Sequence, residues 1–144
     1  MPKREKSTNE LVNEIKRTNE IQNFLGGNSE EFVENPLCET LCELIKTKKL
    51  KKSEVVKRSG LNRVYAYQIL AGKKIPSRDK LIALCFGLQL DLDETDRLLK
   101  TAGHSPLYAR NKRDSIIIYA INSGKTVFIT NDLLFENNHA ILTT

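Results

Sequence analysis

The stretch from Lys52 to Gly72, KSEVVKRSGLNRVYAYQILAG, contains two short helical patterns separated by a glycine. In the first pattern Val55 and Val56 mark the side that would be buried, and Gly60 supplies the permissive backbone that a tight turn requires. Asn62 is suited to cap the second helix, and Gly72 is suited to end it. We therefore predict helices over residues 52–59 and 62–71, joined by a tight turn.

Helical patterns continue on both sides of this stretch. Pro36 suits the first position of a helix, and Asp91 and Glu94 have the spacing of a capping box, with Asp in place of the usual Ser or Thr. Further helices are predicted over residues 9–25 (ended by Gly26, Gly27 and Asn28), 36–48, 76–88, from 91 onward, 112–123 and 127–138. The fold class expected from these patterns is all-α.

The last two of these helices follow from an internal repeat. Residues 112–142 align without gaps on residues 77–107 at an offset of 35, with eight identities in 31 positions. The identities pair Arg78 with Arg113, Asp79 with Asp114, Ile82 with Ile117, Thr95 with Thr130, Leu98 with Leu133, Leu99 with Leu134, His104 with His139 and Leu107 with Leu142. We therefore expect residues 105–144 to contain a helical hairpin that copies the one before it.

The positive charge of the chain is concentrated in one segment. Residues 36–80 carry 12 basic and 4 acidic side chains, a net charge of +8, whereas residues 1–35 carry −2 and residues 81–144 carry −1. A single surface that faces a polyanion gives this distribution. Lysines that only solvate a helix end and the following loop would give the same distribution. The charge alone therefore does not distinguish a polyanion-binding surface from a solvated one.

Several classes of function have no support in the sequence. The chain has no phosphate-binding glycine loop and no plausible catalytic triad, so we expect no enzyme activity and no cofactor. Cys38, Cys42 and Cys85 lack the spacing of a four-ligand zinc site, and we interpret them as buried thiols rather than as metal or redox groups. His104 and His139 are expected to be structural or surface residues. Without an apolar run of membrane-spanning length or a signal-peptide pattern, the chain is expected to be cytoplasmic.

The second helix of the opening stretch has an outward face suited to base edges. Leu61, Ala66, Ile69 and Leu70 would turn inward, which leaves Asn62, Arg63, Val64, Tyr67 and Gln68 outward. Arginine can donate twice to guanine, glutamine can pair both ways with adenine, and valine can touch a thymine methyl group. For Tyr65, and as an alternative for Tyr67, we expect packing against the core.

The segment that contains these two helices resembles the lambda-repressor-like, or XRE, family of helix-turn-helix regulators. The resemblance covers residues 37–90 and rests on Val55, Gly60, Leu61, Arg63, Ile69, Gly72, Pro76, Ser77 and Leu81. It implies a five-helix DNA-binding domain, double-stranded DNA as partner, a homodimer, and Lys51, Lys52, Lys73 and Lys74 as phosphate contacts. Residues 113–142 resemble the C-terminal extension of a Gram-positive subgroup.

The sequence departs from this family at the crossing of the two helices. The family usually has a small Ala in the first helix and a larger Ile or Val in the second, whereas this chain has Val56 and Ala66 in those places. The total volume is roughly conserved, so we interpret the exchange as a compensated pair. The family also usually has Gln where Lys52 stands, which predicts a steep salt dependence of DNA binding.

These observations divide the chain into three parts and leave its function with two alternatives. We predict an N-terminal segment (1–35), a DNA-binding domain (36–104), and a hairpin (105–144). The hairpin could form a dimer, bind another protein or sense a ligand. Its apolar tract, Ser115–Ile121, is either enclosed or meets a second subunit. The alternative to a sequence-specific transcriptional regulator is an adaptor or antitoxin-like module that kept the fold.

Overall fold

A computed structural model describes residues 6–18, 20–22, 27 and 36–143. Eight α-helices have both ends within these residues, Ile21, Gln22 and Gly27 are helical as well, and none of the described residues is in a strand. This confirms the all-α fold class for this part of the chain. The helices are α1 (Thr8–Arg17), α2 (Pro36–Thr47), α3 (Lys52–Ser59), α4 (Arg63–Leu70), α5 (Arg78–Gly87), α6 (Leu92–Thr101), α7 (Lys112–Asn122) and α8 (Val127–Glu136). None of them is both long and apolar enough to cross a membrane.

The chain divides into two compact units, residues 1–34 and 35–144. In the first unit, Ser7 is the N-cap of α1, and its hydroxyl accepts a hydrogen bond from the Glu10 backbone N–H at 3.1 Å. The prediction of one helix over residues 9–25 is wrong, because α1 ends at Arg17 and Thr18 is extended. The Thr18 backbone N–H donates to the Ile15 carbonyl at 3.1 Å, a bond of the i to i−3 type that tightens the last turn of a helix. Of the predicted stop residues, Gly27 is itself helical, which contradicts its assignment as a helix stop, and Gly26 and Asn28 lie outside the described residues.

The helices of the second unit begin where the sequence places N-cap residues. Asn62, Ser77, Asn111 and Thr126 each accept a hydrogen bond from the backbone N–H three residues later. Asp91 does the same with Glu94, and the Glu94 carboxylate accepts from the Asp91 N–H, which completes the predicted capping box. Each cap satisfies a donor that the first turn of a helix leaves unpaired. These local bonds fix the helix starts.

Helix α5 lies at the centre of the second unit. Every residue from Leu81 to Leu88 is buried, as expected of a helix that is enclosed on all sides. Its closest crossing is with α3, at Gly87. A Cβ added there would overlap the Val55 carbonyl oxygen and would lie 3.2 Å from the Ser59 backbone nitrogen. Glycine is therefore the residue that lets α5 and α3 approach each other.

The structure confirms the predicted 35-residue repeat down to its hydrogen bonds. Helix α8 starts and ends 35 residues after α6. Asp96 Oδ1 accepts from the Leu107 N–H, and Asn131 Oδ1 accepts from the Leu142 N–H, both at 2.9 Å. The two copies therefore share not only helices but also the side-chain bonds that tie down the segment after each hairpin.

The two copies are joined by reciprocal arginine–aspartate pairs. Arg78 donates twice to Asp114, at 3.0 and 2.8 Å, and Arg113 donates twice to Asp79, at 2.8 and 3.0 Å. Burial disfavours the charged form of Asp114. The hydrogen bonds from Arg78 and from the Tyr108 N–H outweigh this effect, so the pKa of the carboxyl lies below its usual value. The hairpin of residues 105–144 is thus part of one compact unit with the helices before it.

Candidate nucleic-acid interface

Helix α4 has one buried and one outward face, as the sequence predicts. Ala66, Ile69 and Leu70 are buried, whereas Asn62, Arg63 and Val64 at the start of the helix are exposed. Val64 is 65% exposed although it is apolar. The start of α4 therefore presents a cation and an aliphatic group side by side to the solvent.

The two remaining predicted base contacts, Tyr67 and Gln68, are half-buried. The Arg63 guanidinium lies over the Tyr67 ring, with its Cζ atom 5.9 Å from the ring centroid. This cation–π contact limits the rotamers of Arg63 before any ligand arrives. Tyr65, which the sequence assigns to packing, is also half-buried and packs against the core. Tyr67 packs against the same core, as the alternative interpretation of this residue predicts.

Asn62, one of the predicted base contacts, already makes a hydrogen bond within the protein. Asn62 Oδ1 accepts from the Tyr65 backbone N–H at 3.1 Å, as an N-cap does. The Asn62 side chain also has an amide NH₂ group, which is separate from Oδ1 and can still donate hydrogen bonds. The side chain can therefore hold the helix start and offer a donor at the same time.

Three comparisons were made with known proteins. No family model, curated protein or solved structure matches the chain.

The four lysines predicted to contact phosphate are all exposed. Lys51 occupies the N-cap position of α3, but its side chain makes no hydrogen bond to the backbone N–H groups of the first turn. Unpaired N–H groups at a helix start attract anions, and Lys51 and Lys52 add positive charge there. Lys73 and Lys74 follow the end of α4 and lie in an exposed loop with Ile75.

Sequence reasoning missed two residues of this surface. Ser53 and Lys57 are exposed on α3, and they line a cleft together with Arg63 and Tyr67 of α4. Their spacing of four residues, which places them on one face of α3, was the available signal. A hydroxyl and an ammonium group beside Arg63 extend the set of candidate phosphate contacts.

Val56 and Ala66 are the two residues that the sequence analysis interprets as a compensated pair. Both residues are buried, with Val56 at 5% and Ala66 at 0% exposure.

The turn between the helices uses Gly60 with φ of 69°, a left-handed conformation that favours glycine. A Cβ on Gly60 would lie 3.1 Å from Val127 Cγ1 and 3.2 Å from Phe128 Cε1. The start of α8 therefore lies against the turn between α3 and α4.

Proposed function

We propose that this protein is a sequence-specific DNA-binding transcriptional regulator of the lambda-repressor-like type, which reads the major groove with α4. The observation that carries the proposal is the exposed pair Arg63 and Val64 at the start of α4, with Arg63 held over Tyr67. A helix in the major groove uses residues near its N-terminus to contact base edges. Arg63 would donate to guanine, Gln68 would pair with adenine, and Val64 would contact a thymine methyl group.

The surroundings of α4 support the same proposal. The net charge of +8 in residues 36–80 includes the exposed lysines at the start of α3 and after α4. Contacts to phosphate position a protein on the duplex, whereas base contacts specify the sequence. We assign the first role to Lys51, Lys52, Lys73 and Lys74, and the second to the outward face of α4.

A homodimer is part of this proposal. Helix-turn-helix proteins commonly place two recognition helices about 34 Å apart, one turn of the duplex. The apolar tract of α7 supports a subunit contact, because Tyr119 remains 57% exposed in the single chain while Ile117 is buried. Sedimentation equilibrium of the protein with and without a bound duplex tests this state directly.

The experiment selects bound duplexes from a random library and then measures affinity by fluorescence anisotropy. We expect an enriched sequence, and we expect Arg63→Ala to lose the preference at one base pair, at a cost of about 1–3 kcal/mol. Arg97→Ala is the matched control, since Arg97 is an exposed arginine on α6. The control should keep both the affinity and the selected sequence.

Two results would refute the proposal. The first is that no sequence is enriched and no salt-sensitive binding to duplex DNA occurs. The second is that Arg63→Ala selects the same sequence as the parent with the same discrimination. In the second case DNA binding would stand, but α4 would not be the reading helix.

One observation favours a second candidate, an adaptor that binds another protein through residues 105–144. Phe128 and Phe135 on α8 are 54% and 75% exposed, and exposed aromatic groups are typical of protein interfaces. Stoichiometric capture of one protein, lost on Phe135→Ser, together with absence of DNA binding, would support this candidate over the first.

A further inference from the structure

Two cysteines of α2 converge on one backbone oxygen. Cys38 Sγ and Cys42 Sγ donate to the Leu70 carbonyl oxygen, at 3.2 and 3.5 Å. The two residues are four apart on the helix, so their side chains lie on the same face. Both residues are half-buried, so the interpretation of Cys38 and Cys42 as buried thiols is wrong, whereas Cys85 is buried.

The shared acceptor belongs to the end of α4. Leu70 is the last residue of this helix, where carbonyl groups lack partners within the helix. The two thiols therefore tie α2 to the end of α4, just before the loop that carries Lys73 and Lys74. Any ligand that takes both sulfur atoms removes these hydrogen bonds.

The chemistry of the pair narrows the class of ligand. Thiolates are soft ligands that select monovalent copper, zinc and iron–sulfur clusters. Zinc in structural sites and iron–sulfur clusters take four protein ligands. Within the described ranges, no three His, Cys, Asp or Glu side chains are grouped to hold a metal. Two sulfur atoms alone suit monovalent copper, which accepts two-coordinate binding.

We propose that Cys38 and Cys42 form a two-sulfur site for monovalent copper, and that copper binding loosens the end of α4. The reaction needs no oxidant or reductant beyond the metal as supplied. Two S–H bonds break, two Cu–S bonds form, and two protons leave to the solvent. The bound pair has no S–H group left to donate to Leu70, and its net negative charge faces the negative end of the α4 dipole.

The protonation of the thiols predicts how binding depends on pH. Burial raises the pKa of the Cys38 thiol, and the neighbouring Cys42 thiol raises it further. The Cys38 thiol is therefore protonated at neutral pH, and copper must displace its proton. The affinity for copper should rise with pH.

The first experiment measures copper binding to the full chain under anaerobic conditions, in competition with a chromophoric chelator of monovalent copper. We expect one copper per chain, and we expect Cys38→Ser and Cys42→Ser each to abolish it. Serine keeps a hydroxyl that can donate to Leu70, so these variants should fold. Cys85→Ala is the control with the same number of thiols. Cys85 is buried, and burial raises its pKa to about 12, so its loss should not change copper binding.

Failure to compete with the chelator, or unchanged binding by the Cys38→Ser/Cys42→Ser double variant, would overturn the site. The second experiment concerns the coupling to α4, which rests on the proposed DNA binding. One equivalent of copper should weaken binding to the selected duplex in the parent and not in Cys38→Ser. Copper that binds the parent without changing its DNA affinity would refute the coupling. A parent that binds no DNA at all would refute the proposed function while the chelator result still decides the site.

Discussion

Gly87→Ala is the sharpest test of how the second unit is packed. Alanine has a higher helix propensity than glycine, so the change would favour α5 by about 1 kcal/mol if nothing contacted the new methyl group. In the structure the methyl group overlaps the Val55 carbonyl oxygen and lies 3.3 Å from Ser59 Cβ. The atoms in its way are mostly backbone, which cannot rotate aside as a side chain can.

The steric cost can be compared with the gain in propensity. Extra methyl groups in a well-packed core cost about 1–3 kcal/mol, and contact with a rigid backbone places this case at the upper end. Subtracting the propensity gain leaves a net loss of about 2 kcal/mol in the free energy of unfolding. For a domain of this size, that loss lowers the Tm by about 8 °C.

The assay is thermal unfolding followed by circular dichroism, with urea unfolding as a second probe. Gly103→Ala is the matched control, because nothing lies within 4 Å of its added Cβ and its cost comes only from a φ of 80°. We expect Gly87→Ala to be the less stable variant and to show a changed near-ultraviolet spectrum. A Gly87→Ala protein as stable as the parent, or more stable, would refute the tight crossing of α3 and α5.

Three further predictions concern other contacts. Ala66→Ile should destabilise the protein by about 1–3 kcal/mol in urea unfolding, and adding Val56→Ala should recover part of the loss; additive losses would contradict the compensated pair. Asp114→Asn should cost about 2 kcal/mol at pH 7, because Arg78 loses its partner. The pKa of Asp114 is lowered in the folded state, so its contribution to the free energy of unfolding is complete above about pH 4 and declines as the pH falls through the folded pKa. The stabilities of parent and variant should therefore converge in acid. A difference in stability that persists in acid would contradict this prediction. Lys73→Gln with Lys74→Gln should reduce the slope of log affinity against log salt by nearly 2 and leave the selected sequence unchanged; an unchanged slope would remove both residues from the DNA interface.

Much of the second unit could be predicted because its signals are local. N-cap residues such as Asn62 and Asp91 define helix starts through bonds that span three residues. The repeat offset of 35 predicted α7 and α8 before their packing was known. The buried and outward faces of α4 follow from helical periodicity alone. Asn62, Arg63 and Val64 are exposed, as the periodicity predicts, whereas Tyr67 and Gln68 are half-buried. The role of these residues in DNA binding is a proposal.

The remaining features depend on contacts between segments that the sequence does not pair. Arg78 and Asp79 are adjacent on α5 and point in different directions, so their recurrence as Arg113 and Asp114 did not reveal the partner of each. The same holds for Cys38, whose acceptor lies 32 residues away at Leu70. For the first unit, the helical composition of residues 9–25 predicted one helix, but composition does not reveal the extended backbone at Thr18 that ends α1.

The reciprocal pairing between the two hairpins also limits the number of 35-residue repeats that could be stacked in this way. In solenoid proteins each repeat offers one face to the copy before it and a different face to the next, so copies can be added without end. Here Arg78 meets Asp114 and Arg113 meets Asp79, so the same patch is used on both copies, as in an isologous interface. Such an arrangement closes after two members. A third 35-residue copy inserted after Leu142 would find both arginine–aspartate patches already occupied.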